Sequence, residues 1–218
     1  MRFPMNYLQT AVLYLVPLVL SLAVHEFCHA WVAVKLGDDT PARLGRLTLN
    51  PIVHMDLMGS LVIPLAFIAM TGRAGFAWAK PVTYNPANFR RGITIRNGNM
   101  LVAIAGPASN LGMLVTSALL VKASMHGLPI PEPLMALLSR MMPLNAALFL
   151  FNLLPIPPLD GHAVLAAFLP APLADRWEAF GAQWGTFVMW PMLIFGGRFL
   201  GAPIAAILKG VYTLTGLA

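Results

Sequence analysis

Charged residues are scarce in this 218-residue chain: they make up 10% of it, against about 25% in an ordinary soluble domain. Hydrophobic residues make up 58%, and the mean hydropathy is +0.74. This deficit of charge excludes an ordinary soluble enzyme and predicts a membrane protein with several spans.

Cysteine and acidic residues are also few. Cys28 is the single cysteine, so an internal disulfide is excluded and the redox compartment cannot be inferred. The 14 basic residues outnumber the 8 acidic ones. In so apolar a chain, basic loops on the cytoplasmic side of a membrane explain this excess better than nucleic acid does, and we predict no nucleic-acid partner. No small-residue cleavage site precedes the first polar motif, so we do not expect a cleaved signal peptide.

The sequence contains four apolar stretches that are long enough to cross a bilayer. A fifth, 57–72, is shorter than the ~20 residues that a helix needs to do so. We predict an α-helical polytopic membrane protein with about four to five transmembrane helices. It would form a single domain over 1–218, with a core at 5–169 and a C-terminal helical segment at 180–209. The stretches long enough to span are 5–36, 98–122, 134–154 and 180–209, the last interrupted by Gly196-Gly197.

The loops between these stretches indicate an orientation. Basic residues follow the first stretch, and the loop 73–97 is basic with no acidic residue. By the positive-inside rule both loops are cytoplasmic, so 57–72 is expected to dip into the membrane and return, or to lie against the other helices. Within these loops, 43–49 and 76–84 are predicted to form short strands of a membrane-associated β-sheet.

Three polar residues interrupt the first apolar stretch: His25, Glu26 and His29. On a helix, positions i and i+4 share one face, so the two histidines can hold one metal ion from the same side. This is the H-E-x-x-H pattern of zinc proteases. Zinc lowers the pKa of a bound water toward ~7, and Glu26 is the expected base that takes its proton and passes it to the leaving amine.

A hydrolytic zinc site takes three protein ligands, and Asp160 is the best third candidate. It follows a proline-rich turn after the span 134–154, and an ionised aspartate at membrane depth needs a partner such as a metal. Gly161 beside it would permit an unusual backbone angle. Counting the spans puts His29 and Asp160 at the same, cytoplasmic, side. His162 is an alternative ligand, although it is better interpreted as the start of the next helix.

A second polar pair, His54 and Asp56, lies in the first cytoplasmic loop. An isolated histidine in a loop most simply forms a local polar pair. Alternatively, the two residues support or gate the metal site, as a second layer around its ligands or as a temporary fourth ligand.

Taken together, these motifs resemble those of the site-2 proteases, the zinc intramembrane metalloproteases, and in particular their compact branch without PDZ or CBS domains. The resemblance covers roughly residues 20–165, and its two longest signatures, H-E-x-x-H and N-x-x-P-x-P-x-x-D-G, are highly specific together. One departure is Cys28, where glycine or alanine is more usual. The matching stretches are His25–His29, Gly45–Asp56, Trp78–Val82, Ala105–Asn110 and Asn152–Gly161.

The resemblance implies one zinc ion per chain, held by His25, His29 and Asp160, with Glu26 as the base and Asn152 holding the substrate backbone. It implies an enzyme of the cell membrane that cleaves transmembrane segments of membrane proteins, in regulated intramembrane proteolysis, with its active site toward the cytoplasm. The partners would be a substrate helix and the lipid bilayer, and a homo-oligomer is left open. The substrate would unwind and add as a strand to 43–49 or 76–84.

Two other classes of function fit the same ligands. A metal-binding membrane transporter could use the cluster without hydrolysis, but it would need polar residues along several helices, and here they concentrate around one site. A non-catalytic scaffold is a third interpretation, which the intact set of ligands opposes.

Overall fold

The structure is a computed structural model that describes residues 7–71 and 77–217, with side chains described at 11–70, 77–189, 191 and 199–217. The described residues are mostly helical. A π-helical turn, Leu57–Val62, runs directly into the fourth helix, and a 3-10 turn covers Pro86–Asn88. The α-helices are α1 (Tyr7–Leu36), α2 (Thr40–Arg43), α3 (Pro51–His54), α4 (Ile63–Thr71), α5 (Ile95–Met125), α6 (Glu132–Asn152), α7 (Asp160–Phe168) and α8 (Ala171–Thr215).

Three of these helices are long and apolar enough to cross a membrane: α5, α6 and the Ala11–Leu36 part of α1. They make the chain a polytopic membrane protein of helical class, as the composition predicts. Three candidate spans lie among the described residues, where we predicted four to five. Of the last apolar stretch, Phe199–Thr215 forms a shorter apolar helix, and several side chains before it lie outside those described.

The long C-terminal helix differs from its prediction. The sequence predicts an interruption at Gly196-Gly197, but α8 continues through these positions as one helix of 45 residues. A glycine inside a helix costs only about 1 kcal/mol, which neighbouring turns can offset.

Two of the spanning helices, α1 and α6, pack against the third, α5, which also contacts α7 and α8. Small residues allow the backbones to approach, since Ala118 of α5 and Ala146 of α6 are both fully buried. They belong to an apolar cluster with Leu114, Met142 and Val211, so α8 is joined to α5 and α6.

The predicted β-sheet is wrong for the described residues. Residues 43–49 form the end of α2 and a turn rather than a strand. Gly45 turns the chain there with φ +68°, in the left-handed region that favours glycine. The three leucines of this stretch are exposed and Arg46 is buried, so no apolar face is formed that a strand would cover.

The second predicted strand, 76–84, is extended over its described part, and residue 76 lies outside the described residues. It makes one isolated antiparallel bridge, between Ala79 and Met55. The ladder cannot grow because Pro81 has no N–H and the N–H of Val82 donates to the Glu26 carboxylate. The segment is therefore an extended wall beside α1.

The short apolar stretch lies against α1, which is one of the two arrangements that the charges predict. Its last predicted residue, 72, lies outside the described residues. Asp56 begins the π-helical turn by accepting the Gly59 N–H at 2.7 Å. The Ser60 hydroxyl donates to the carbonyl of Trp78 at 2.7 Å, so this stretch is tied to the extended wall.

Asp38, just after α1, anchors the same wall from its other end. It is fully buried. Its carboxylate accepts hydrogen bonds from the backbone N–H of Asn85 at 2.6 Å, from the Asn88 amide at 2.8 Å and from the N–H and hydroxyl of Thr40. Burial opposes its ionisation, but these bonds outweigh burial and hold the pKa of Asp38 below its ordinary value.

We therefore expect Asp38→Asn to destabilise the protein by about 2 kcal/mol, because the new amide would point an N–H at a donor. The folded-state pKa lies below the unfolded value of about 3.9, so the contribution is complete above that value and is lost as the pH falls through the folded pKa. Thermal unfolding in detergent should show that the wild type is more stable than the variant at pH 6 and that the difference shrinks near pH 3.

The control is Asp39→Asn, whose ion pair with Arg43 is 65% exposed on both sides. It should change the stability by less than about 0.5 kcal/mol. Equal destabilisation by the two variants would contradict the anchor.

Candidate metal centre

The two histidines of the H-E-x-x-H motif lie on the buried side of α1. His25, Glu26 and His29 are all buried. His29 and His25 lie seven and eleven residues before the end of the helix at Leu36, which is about 10 and 16 Å along its axis. The motif therefore lies well inside a candidate span.

One face of α5 receives both imidazole rings. The Nδ1 of His29 donates to the carbonyl oxygen of Val102 at 2.7 Å, and the Nδ1 of His25 lies 2.7 Å from the Oδ1 of Asn110. Gly106 lies between them, and a Cβ there would clash with both rings. These α5 positions are four residues apart, so they form a single stripe that faces the two histidines.

Asp160 reaches the centre as the first residue of α7. Its Oδ2 lies 3.3 Å from the Nε2 of His25, and its Oδ1 lies 3.4 Å from the Nε2 of His29.

Gly161 has a different role from the one we predicted. Its φ is not in the left-handed region. A Cβ at this position would instead clash with the carbonyl oxygens of Leu153 and Leu154. The glycine is needed because the start of α7 approaches the preceding turn closely, and this approach brings Asp160 to the histidines.

The three side chains fit a zinc ion. Among the described residues they form a group whose ligand atoms all lie within 4.8 Å of one another. The carbonyl of Val102 can only accept, so His29 carries its proton on Nδ1 and directs the lone pair of Nε2 inward. That nitrogen lies 2.9 Å from the Nε2 of His25, and the Oδ2 of Asp160 is buried without a hydrogen-bond partner. Lone pairs facing one another so closely repel unless a cation lies between them, and two imidazoles with a carboxylate suit Zn²⁺.

A cavity of about 560 Å³ opens onto these ligands. Glu26 lines it, and its Oε2 accepts the backbone N–H of Val82 at 3.0 Å. Asn152, expected to hold a substrate, also lines it, and its amide donates to the carbonyl of Leu148 at 3.0 Å. The rest of the lining is largely apolar and includes Leu18, Leu22, Leu144, Phe151 and Val102.

The other polar candidates have hydrogen-bond partners of their own, although His162 also lines the cavity. His54 is buried and donates to the carbonyl of Thr48 at 2.8 Å, while Asp56 caps the π-helical turn, so each serves its own loop. His162 stacks on Trp177 of α8 and donates to its carbonyl oxygen at 3.1 Å. None of the three is in the group of candidate ligands among the described residues.

Sequence reasoning missed the contributions of α5. We recognised the stretch 105–110 as a match to the family, and nothing in it indicates that Gly106 and Asn110 face the histidines. A contact through the Val102 carbonyl cannot be found from side-chain motifs, because every residue has one. Only the four-residue spacing of Val102, Gly106 and Asn110 could have suggested a shared face.

Two imidazoles, one carboxylate and a neighbouring glutamate are the groups of a zinc metalloprotease centre, built here into a bundle of apolar helices. Comparison with known proteins agrees with this class. The chain is 37% identical over 198 residues to "Putative zinc metalloprotease YwhC" of Bacillus subtilis, covering 83% of this chain and 85% of the relative. It is 31% identical over 191 residues to "Putative zinc metalloprotease Rip2" of Mycolicibacterium smegmatis, covering 88% and 70%. A Rip2 of Mycobacterium tuberculosis is 36% identical over 169 residues, covering 76% and 61%.

No protein-family model matches the chain, and no solved structure matches it. The identity and coverage of the curated relatives are sufficient by themselves: the chain belongs to the site-2 protease family.

The close approach of α5 to the histidines generates a prediction. Gly106→Ala should weaken zinc binding roughly 10–100-fold, because the methyl group must displace rings that are held by hydrogen bonds. The measurement is the zinc affinity of purified protein in detergent, by competition with a chelator.

Gly112→Ala on the same helix is the matched control, since a Cβ at Gly112 meets nothing within 4 Å. It should leave zinc affinity unchanged and stabilise the helix by up to about 1 kcal/mol. Unaltered zinc binding by Gly106→Ala would show that the rings can move without losing the site.

Proposed function

We propose that this protein is a zinc-dependent intramembrane endopeptidase that cleaves transmembrane segments of other membrane proteins, as in regulated intramembrane proteolysis. One observation carries the proposal. His25, His29 and Asp160 converge inside a helix bundle, and Glu26 lines the same cavity.

The depth of the centre supports cleavage within the membrane. Its two histidines belong to a candidate span, about 10 and 16 Å from the end of the helix. The cavity is lined mostly by leucine and other apolar side chains, which suit a hydrophobic substrate segment. A peptide bond in a helix is already hydrogen-bonded, so the segment must unwind locally before it can react.

The roles of this chain's residues follow from their positions. A bound zinc ion would lower the pKa of a water molecule and polarise a carbonyl group. Glu26 would take a proton from the attacking water and deliver it to the leaving amine. In the resting state its carboxylate is held by the N–H of Val82, so this contact keeps the base in the cavity. Asn152 would bind the substrate backbone with the amide groups that Leu148 does not use.

The distribution of basic residues supports an active site toward the cytoplasm of the cell membrane. The centre lies nearer to the C-terminal end of α1 than to its start, and nearer to the start of α5 than to its end. The positive-inside rule assigns the more basic end to the cytoplasm. The basic residues on the segments at that end include Lys35, Arg43, Arg46, Lys80, Arg90, Arg91 and Arg96. The expected partners are a substrate helix and the surrounding bilayer.

Glu26→Gln tests the proposed function. It keeps the shape and an oxygen that can accept the Val82 N–H, but it cannot take a proton. We expect zinc content to stay at the wild-type level and cleavage to fall roughly 10²–10⁴-fold, the usual contribution of a general base. The assay is the appearance of membrane-protein fragments in cells or proteoliposomes that hold the active protein.

Asp160→Asn is the companion variant and should lose both zinc and cleavage. Fragments that persist with Glu26→Gln would rule out Glu26 as the base. Metal flux into proteoliposomes that survives Glu26→Gln, with no fragments from the wild type, would point to a transporter instead.

A further inference from the structure

A network of buried polar side chains links His25 of α1 to α5 and α6 and returns to α1 one turn before His25. The amide nitrogen of Asn110 on α5 donates to the Oδ1 of Asn145 on α6 at 2.9 Å. Asn145 in turn donates to the hydroxyl of Ser21 on α1 and to the carbonyl of Met141, both at 2.9 Å. Ser21, Asn110 and Asn145 are all 0% exposed. The network therefore joins the three candidate spans α1, α5 and α6 beside a candidate zinc ligand.

The direction of each hydrogen bond in this network follows from the one that the Met141 carbonyl accepts. The carbonyl of Met141 is a backbone group that can only accept, so Asn145 must present its NH₂ group to it. The Oδ1 of Asn145 then faces Asn110. Because this oxygen can only accept, Asn110 must present its own NH₂ group to it. The Oδ1 of Asn110 is left to face the Nδ1 of His25.

This direction decides the tautomer of the histidine. An amide oxygen can only accept, so His25 must carry its proton on Nδ1 and present the lone pair of Nε2 to the centre. The carbonyl of Val102 does the same for His29. One face of α5 thus supplies both histidines with an acceptor, at positions eight residues apart.

We propose that Asn110 is a positioning residue for the metal centre: it holds His25 in the ring orientation and tautomer that bind zinc, and Asn145 fixes the orientation of the Asn110 amide. The proposal rests on the zinc site of the proposed function. Partners of this kind, on the outer nitrogen of a ligating histidine, commonly change metal affinity 10–100-fold.

Polar side chains between membrane helices can also serve only to join the helices. A pair of variants distinguishes the role in orienting His25 from the role in joining the helices. Asn110→Leu removes the acceptor for His25 and the donor for Asn145. Asn110→Asp keeps an acceptor for His25 but turns an oxygen toward the Oδ1 of Asn145, so it disturbs helix joining and spares the histidine.

The experiment measures zinc affinity of the full-length protein in detergent, together with the visible spectrum of the Co²⁺-loaded protein and the thermal stability. Asn110→Leu should bind zinc roughly 10–100-fold more weakly and alter the cobalt spectrum. Asn110→Asp should bind zinc within about threefold of wild type, although its stability falls. Ser117→Ala, a buried position about two turns further along α5, is the control and should leave zinc affinity and the spectrum unchanged.

Nitrogen NMR of the histidines in metal-free wild-type protein gives a second measurement that needs no variant. Under conditions in which His25 is neutral, we expect its proton on Nδ1. A proton on Nε2 would overturn the proposal, as would Asn110→Leu that binds zinc as tightly as wild type with an unchanged cobalt spectrum. If Asn110→Leu does not fold, the tautomer decides.

These measurements use only the metal, so their outcome is separate from that of the proposed function. A wild-type protein that binds zinc but cleaves nothing would contradict the proteolytic activity and leave Asn110 as a positioning residue. Cleavage that depends on Glu26, combined with unaffected zinc binding in Asn110→Leu, would contradict the role of Asn110 alone.

Discussion

Three electron-pair donors face one another inside an apolar bundle: the Nε2 atoms of His25 and His29, 2.9 Å apart, and the Asp160 carboxylate 3.3–3.4 Å from them. In so apolar a setting the repulsion between such groups is weakly screened, and a divalent cation is the partner that relieves it. Much of the surrounding structure serves this one arrangement. The backbone of α5 approaches at Gly106, and α7 begins against the preceding turn at Gly161, because side chains at either glycine would separate the donors.

The Nδ1 atoms of the two histidines, which point away from the centre, impose a second requirement. Each imidazole can direct a lone pair inward only if its proton is accepted on the other side. The Val102 carbonyl does this for His29, and the Asn110 amide does it for His25. The same helix thus provides the space for the metal and the acceptors that orient its ligands. This double role explains why α5 lies at the middle of the bundle, in contact with α1, α6 and α7.

The wall of the cavity depends on contacts outside the spanning helices. The extended segment after residue 76 is held at its start by the bridge between Ala79 and Met55 and at its end by the buried carboxylate of Asp38. Between these points the Val82 N–H donates a hydrogen bond to the Glu26 carboxylate. We predicted strands of a sheet at 43–49, where the residues partly alternate, and at 76–84. Proline, a turn at Gly45 and donors already engaged with Glu26 and the neighbouring loop prevent a ladder from forming in the described residues.

The sequence alone determined the helical membrane class and the pairing of His25 with His29, because both follow from local patterns: long apolar runs and an i, i+4 spacing. It also indicated Asp160, since a carboxylate beside a proline-rich turn at membrane depth needs a partner. Only the tertiary structure decided what surrounds these groups. The approach of Gly106 and the hydrogen bonds that Val102 and Asn110 accept from the two histidines depend on how helices far apart in the chain pack together. Such contacts produce no periodic pattern in the sequence, because they depend on how one helix is rotated and shifted relative to another.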